Sequence, residues 1–391
     1  FALTVESAPV SFGALGTPIL IGVQTGLESL GATALLNEIG VLTALIHGII
    51  GTFIPLIAVC MMTKFYGGSV RDGLAAWKFA LLGGLAFTIP SVLTAYSGIG
   101  LEFPSLFGSL IGLAITVIFA KKGWLTPATT WDFPPHKEWD ASWNGSIKFP
   151  RENLNNLGLL RSWSPYLVLA ALLLLSRMID PIKDFISTYA WSTGPLFGTA
   201  IEASFRPLYI PGFFMVIAAV IAILILGKGK NELVRSTHDA LRTTRTAGLT
   251  LMLAVPMVQV FINSQGTFVS MPIYLAESIS AIVGAGWPAV APVIGAFGAF
   301  IAGSNTFSNM MFTPLQYTIA GNIGVSEALI VALQAVGGAA GNMVSVHNVV
   351  AAAATVGLVG REGTVIRKVM LPLLYYLVAA GIIGLLMAHL L

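Results

Sequence analysis

Residues 295–316 read GAFGAFIAGSNTFSNMMFTPLQ, inside a stretch from 278 to 326 that holds no Asp, Glu, Lys or Arg. Between Gly303 and Pro314 stand the small hydrogen-bonding side chains Ser304, Asn305, Thr306, Ser308 and Asn309. Burying such groups without partners costs roughly 1–3 kcal/mol each by protein mutational data. Glycine permits a sharp turn, and Ser, Asn and Thr are favoured helix N-caps. The stretch therefore predicts a re-entrant hairpin whose second arm begins near Ser304. Its free backbone N–H groups and about half a positive charge would face the interior of the molecule. A carboxylate can be held there without a buried arginine. Polar contacts between helices explain one or two such residues, and explain SNTFSN poorly.

Two further stretches show the same combination. In VGGAAGNMVSVHNVVAAAATVGL, residues 336–358, Gly337, Gly338 and Gly341 are expected to loosen or break a helix. Asn342, Ser345, His347 and Asn348 supply polar atoms directly after them. A helical Ser345 and Asn348 would share a face, and His347 is the side chain of that interval that titrates near neutral pH. In ESAPVSFGALGTPILIG, residues 6–22, Ser7 and Ser11 precede Pro18 much as Ser304 and Ser308 precede Pro314. His47 follows Ser7 and His347 follows Ser304 at similar spacing, and each precedes an apolar run ending in a basic loop. Such an echo is what an inverted-repeat carrier shows, with both broken elements meeting at mid-membrane.

The rest of the composition supplies the solvent. Of 391 residues 56% are hydrophobic and 9% charged, against roughly 25% charged in a soluble domain. A span needs about 20 apolar residues. Charge-free intervals at 7–27, 39–63, 79–101, 103–120, 185–201, 207–227, 246–276, 278–326, 328–360 and 369–391, with a Leu-rich helix at 162–176, predict about ten to twelve membrane segments. The chain opens at Phe1 within what reads as a membrane motif, so further spans are expected before it.

Lys and Arg mark the loops expected in the cytoplasm: Lys64 to Lys78, 121–161, Lys228 to Arg245, and Arg361 to Lys368. The 121–161 loop also carries Trp124, Trp131, Trp139 and Trp143, which suits the headgroup level. Scattered basic residues and a net charge of +3 give no nucleic-acid footprint. A single cysteine, Cys60, excludes a disulfide framework or thiolate cluster. No zinc-protease, nucleotide-loop or serine-elbow motif is present, and the five histidines stand far apart, so an enzyme or a cofactor has no visible site. A channel would show charge rings or carbonyl-lined repeats. Ionisable groups within spans are candidates for coupling, above all His347, His47 and Glu277. Arg177 with Asp180 and Glu202 with Arg206 read as ion pairs at span edges.

SAPVSFGALGTPI, RSWSPYLVLA at 161–170, LYIPGFFMVIAAV at 208–220, FIAGSNTFSNMMF at 300–312 and GNMVSVHNVVAAAATVGLVGRE at 341–362 together resemble the L-lactate permease family of bacterial transporters. The resemblance covers essentially the whole chain and extends to the ion-transporter superfamily of carboxylate carriers. Glu6 departs from it, standing where a short polar residue such as Asn is expected. The resemblance implies an all-α, polytopic membrane transporter with inverted repeats, re-entrant hairpins and broken helices in a single domain, residues 1–391. It further implies uptake of L-lactate and related 2-hydroxymonocarboxylates such as glycolate across the bacterial inner membrane, with protons as the coupling ion. Sodium and a homo-oligomeric state stay open. The substrate residues expected are Ser304, Asn305, Thr306, Ser308, Asn309, Asn342, Ser345, Ser7 and Ser11.

Overall fold

The computed structural model describes residues 15–28, 30–140, 143, 145, 158–195, 202–227, 229–241, 245, 260, 264, 266, 268–269, 271–358 and 360–390. A π-helical turn, Pro18–Val23, leads into α1 (Gln24–Glu28). Then come α2 (Leu36–Gly51), α3 (Ile54–Phe65), α4 (Val70–Leu74), α5 (Trp77–Tyr96) and α6 (Pro104–Lys122). They are followed by α7 (Leu159–Met178), α8 (Asp180–Thr188), β1 (Trp191–Pro195), β2 (Glu202–Phe205) and α9 (Pro211–Ile225). After these come α10 (Met271–Val283), α11 (Trp287–Ala302), α12 (Asn305–Ile323), α13 (Glu327–Asn342), α14 (Val346–Thr355) and α15 (Glu362–Ala388).

The chain divides into two compact units, residues 1–147 with 247–391, and residues 148–246. In the second, α7 packs on α9, where Arg161 Nε donates to the Ile225 carbonyl at 2.9 Å, and β1 pairs antiparallel with β2.

The first unit is built around α13. Ser326 caps it by accepting from Leu329 N at 3.2 Å, Glu327 sits in its first turn, and its residues from Ala328 to Gly341 are all buried. An acidic first turn complements the positive end of the helix dipole. Around α13 pack α2, α11, α12 and α15, while α5 and α6 pair beside α2. The apolar side chains Leu85, Leu93, Leu110, Leu113, Val378 and Leu386 on the outer helices are exposed. That is the face a bilayer covers, since lipid tails impose no cost on apolar surface.

Among the described residues, six helical stretches are long and apolar enough to cross a membrane: Thr33–Phe65, Trp77–Tyr96, Pro104–Lys122, Ala281–Ala302, Glu327–Ala354 and Glu362–Ala388. Three reasons account for part of the difference from the roughly ten to twelve segments expected from charge-free intervals. Interval 185–201 holds strand β1, whose Trp-Ser-Thr-Gly-Pro sequence turns through Gly194 at φ 63°. Intervals 162–176 and 207–227 hold apolar helices shorter than a full span, Leu160–Leu173 and Gly212–Ile225. Most of 246–276 lies outside the described residues.

Three of the basic loops meet at one end of the first unit. Lys368, at the start of α15, places its Nζ 5.0 Å from the Phe65 ring and 4.9 Å from the Tyr66 ring at the end of α3. Tyr66 in turn packs edge-on against Phe133 and Trp143 of the loop after α6, with centroids 6.0 and 5.1 Å apart. Between α3 and α5, Ser69 caps α4 through the Asp72 carboxylate, which takes the Ser69 N–H at 2.7 Å and its hydroxyl at 2.8 Å. These bonds, the hydroxyl's first, hold the Asp72 carboxyl below the usual aspartate range.

Candidate functional site

The turn expected at Gly303 is present. Gly303 adopts φ +68°, a left-handed conformation that ends α11, and its N–H still reaches the Ala299 carbonyl at 2.9 Å. Ser304 is extended and caps α12, its hydroxyl accepting from Phe307 N at 3.5 Å. Spacing by three and four residues puts Asn305, Ser308 and Asn309 on one helix face, and all three are buried, as is Thr313 one turn on. Thr306 is half-buried.

The second break falls later than its sequence suggests. Gly337, Gly338 and Gly341 lie inside an uninterrupted α13. Their role is close approach: a Cβ on Gly337 would overlap the Pro292 backbone, and one on Gly341 the Ala296 backbone, so α11 and α13 touch main chain to main chain. The helix opens at Met343 to Ser345. Ser345 then stands at the N-cap of α14 with its hydroxyl unused for capping, while Val349 N donates to its carbonyl at 3.0 Å. Asn348 Nδ2 bridges back to the Asn342 carbonyl at 3.0 Å.

The two breaks meet. A Cβ on Gly303 would overlap Nδ1 of His347, so the imidazole lies over the turn between α11 and α12. A Cβ on Gly338 would overlap Oδ1 of Asn305, whose Nδ2 donates to the Ala335 carbonyl at 3.5 Å. Of the third stretch, Glu6, Ser7 and Ser11 lie outside the described residues. Its continuation does reach the site. Gly22 and Gly26, four apart in GVQTG, seat the π-helical turn and α1 on Thr306, Asn309, Thr313 and Pro314 of α12. Asn309 Nδ2 donates to the Pro18 carbonyl at 3.1 Å. The small-xxx-small spacing of Gly22 and Gly26 is a packing signal that the serine pattern upstream had overshadowed.

Several polar atoms at this junction are shielded from solvent and have no hydrogen-bond partner: Asn309 Oδ1, Asn342 Oδ1, Ser345 Oγ and both ring nitrogens of His347. Buried polar atoms are normally paired, so a cluster of unpaired acceptors and one hydroxyl is suited to a small polar ligand. The side chains gathered there are uncharged apart from what His347 can acquire.

The remaining candidates lie apart from this cluster or are engaged. Ser308 donates its hydroxyl to the Gly295 carbonyl at 2.8 Å and accepts from Gln334 Nε2 at 3.1 Å. His47 is fully buried in α2, where its Nδ1 shares a hydrogen bond with the Tyr376 hydroxyl of α15 at 2.5 Å. Glu277 is exposed on α10. Gln316 and Gln334 escaped the sequence pattern because they lie 18 residues apart on different helices, and only folding brings them together. Among the described residues, no group of three His, Cys, Asp or Glu side chains could hold a metal.

The family model for L-lactate permease matches residues 1–391. The chain belongs to the L-lactate permease family. A relative from Haemophilus influenzae is 30% identical, covering 97% of this chain and 70% of its own length. The glycolate permease GlcA of Escherichia coli (strain K12) is 29% identical over 99% of this chain and 70% of that protein. The L-lactate permease of Bacillus subtilis (strain 168) is 27% identical with the same coverage. Among solved structures, the YdaH transporter of Alcanivorax borkumensis aligns with 97% of this chain and 86% of its own at 16% identity and a TM-score of 0.32, a value from which no shared arrangement of helices follows. This member of the L-lactate permease family is thus a multi-pass membrane transporter and not an enzyme.

Proposed function

We propose that this permease carries L-lactate, glycolate and similar 2-hydroxymonocarboxylates together with a proton, and that they bind where the α12 and α14 N-termini meet. The observation that carries this is the convergence of two helix breaks around unpaired, buried and uncharged polar atoms. Free N–H groups at the two helix starts and the Ser345 hydroxyl suit a carboxylate. Asn309 Oδ1 and Asn342 Oδ1 are acceptors for the neighbouring hydroxyl. One carboxylate matches the site, whereas a second would lack a cationic partner, because 278–326 and 328–360 contain no Lys or Arg.

The proton follows from the same electrostatics. A substrate of charge −1 in a site without fixed positive charge makes the loaded carrier anionic, and charge at membrane depth costs about 2.5–3.5 kcal/mol or more. Protonation of His347 offsets it. In this proposal α11 and α12 form a re-entrant hairpin, and the end bearing Lys64, Lys121, Lys122 and Lys368 faces the cytoplasm in accordance with the positive-inside rule.

Competition for labelled L-lactate uptake tests the substrate class. Glycolate should inhibit strongly and a dicarboxylate weakly; stronger inhibition by the dicarboxylate overturns the reading. Ser345→Ala should raise KM for lactate about tenfold, the effect of one hydrogen bond to a charged group, with membrane abundance unchanged. A wild-type KM in that variant would remove Ser345 from the site.

A further inference from the structure

We infer that Gln316 and Gln334 are positioning residues for transport: they set the rotation of α12 and thereby aim Asn305 and Asn309 at the substrate site. The inference rests on the site reading above. Trp287, Ser308, Gln316 and Gln334 are all fully buried, and they form one continuous hydrogen-bonded chain across α11, α12 and α13. Trp287 Nε1 donates to Gln316 Oε1 at 2.7 Å. Gln316 Nε2 donates to Gln334 Oε1 at 2.9 Å and to the Ala291 carbonyl at 3.3 Å. Gln334 Nε2 donates to the Ser308 hydroxyl at 3.1 Å and to its carbonyl at 3.4 Å. The Ser308 hydroxyl in turn donates to the Gly295 carbonyl at 2.8 Å.

The chain has one permitted direction. An indole N–H can only donate, so Trp287 fixes the carbonyl end of Gln316 towards itself. The Gln316 amide must then meet the oxygen of Gln334, and the Gln334 amide must point at Ser308. Both donors of each glutamine are thereby used, so reversing either amide would oppose donor to donor and acceptor to acceptor.

The anchored points on α12 are Ser308 and Gln316, eight residues apart and within the same apolar stripe. Two anchors on one face fix a helix against rotation, where one would leave it free to swivel. Asn305 precedes Ser308 by three residues and Asn309 follows it by one. A turn of α12 by a single residue position, about 100°, would carry both asparagines away from Gly338 and Pro18. An apolar core of the same volume would hold these helices together equally well, because replacing all partners of a buried hydrogen bond by apolar groups is close to neutral for stability. What the polar chain adds is a unique setting.

That difference supplies the test. Purified full-length variants reconstituted in liposomes are compared for thermal stability and for KM and maximal rate of L-lactate uptake. Gln334→Met alone leaves one N–H of the Gln316 amide without an acceptor, the other staying on the Ala291 carbonyl, and should lower thermal stability. The triple variant Trp287→Phe, Gln316→Met, Gln334→Met removes the three long side chains of the network, leaves the Ser308 hydroxyl on the Gly295 carbonyl, and should recover that stability. Its KM should nevertheless stay about tenfold above wild type, the loss of one well-aimed hydrogen bond, with maximal rate changed less. A wild-type KM in the stable triple variant overturns the inference. If the triple variant does not fold, Gln334→Met carries the comparison, and an unchanged KM there overturns it equally. Asn305→Ala is measured alongside. Wild-type transport in Asn305→Ala removes the site reading itself, whereas impaired Asn305→Ala with an unaffected triple variant removes only the positioning role.

Discussion

Gly338→Ala is expected to impair lactate transport severely while leaving a stable, membrane-inserted protein, and Gly337→Ala, one residue away, is expected to lose stability. At position 338 the added methyl meets Oδ1 of Asn305, the far end of a side chain that can swing aside. The helices keep their spacing, and Asn305 loses the rotamer from which it reaches the Ala335 carbonyl. The expected result is a rise in KM of roughly 10- to 100-fold, equivalent to about 1.4–2.8 kcal/mol of binding. At position 337 the methyl meets the main chain of Pro292, which cannot give way without parting α11 from α13. Overpacking of that kind costs about 1–3 kcal/mol or more, and here it falls on the most buried helix of the unit. Thermal stability in detergent and uptake in liposomes separate the two outcomes. Equal loss of stability in both variants would show that Gly338 is a packing residue like its neighbour.

His347→Gln should separate substrate movement from proton movement. Glutamine keeps a polar group over the Gly303 turn but does not take up a proton, so the loaded carrier crosses as an anion: exchange of labelled for unlabelled lactate should persist but slow by about 70- to 400-fold, the effect of an uncompensated charge worth about 2.5–3.5 kcal/mol. Accumulation driven by a pH gradient should vanish. One pH unit is worth about 1.4 kcal/mol, so a one-to-one symporter can concentrate lactate about tenfold across it, and the variant should reach no more than equilibrium. Wild-type accumulation in His347→Gln would assign the proton to another group. His47 is the next candidate, held by the Tyr376 hydroxyl in the core between α2 and α15.

How much of this was legible in the sequence depended on whether the signal was local. The turn at Gly303 and the cap at Ser304 were legible because a left-handed glycine followed by an N-cap serine is a property of adjacent residues. The glycines of α13 misled for the same reason. Read locally, Gly337, Gly338 and Gly341 are helix breakers, but against the backbone of α11 and the side chain of Asn305 they are points of close approach that keep the helix whole. The break came at Met343 to Ser345, which no single residue type announces. The meeting of His347 with Gly303, the reach of Asn309 to Pro18 and the pairing of Gln316 with Gln334 are tertiary facts. Each joins residues of different elements, and the sequence gives no indication of which element will supply a polar residue's partner. Interval 185–201 illustrates the opposite limit: lack of charge qualifies a segment for lipid, yet Trp191 to Pro195 forms a strand.

In the proposed mechanism an uncharged site built from two helix breaks carries a monocarboxylate with a proton. Its most direct test is labelled L-lactate uptake into liposomes containing the purified protein, driven in turn by an inward proton gradient and by an inward sodium gradient at constant pH. Accumulation above equilibrium is expected with the proton gradient, none with sodium, and no stimulation by an interior-negative voltage, because substrate and proton cross as a neutral pair. Accumulation that requires sodium, or the absence of any gradient-driven accumulation of lactate, would contradict it.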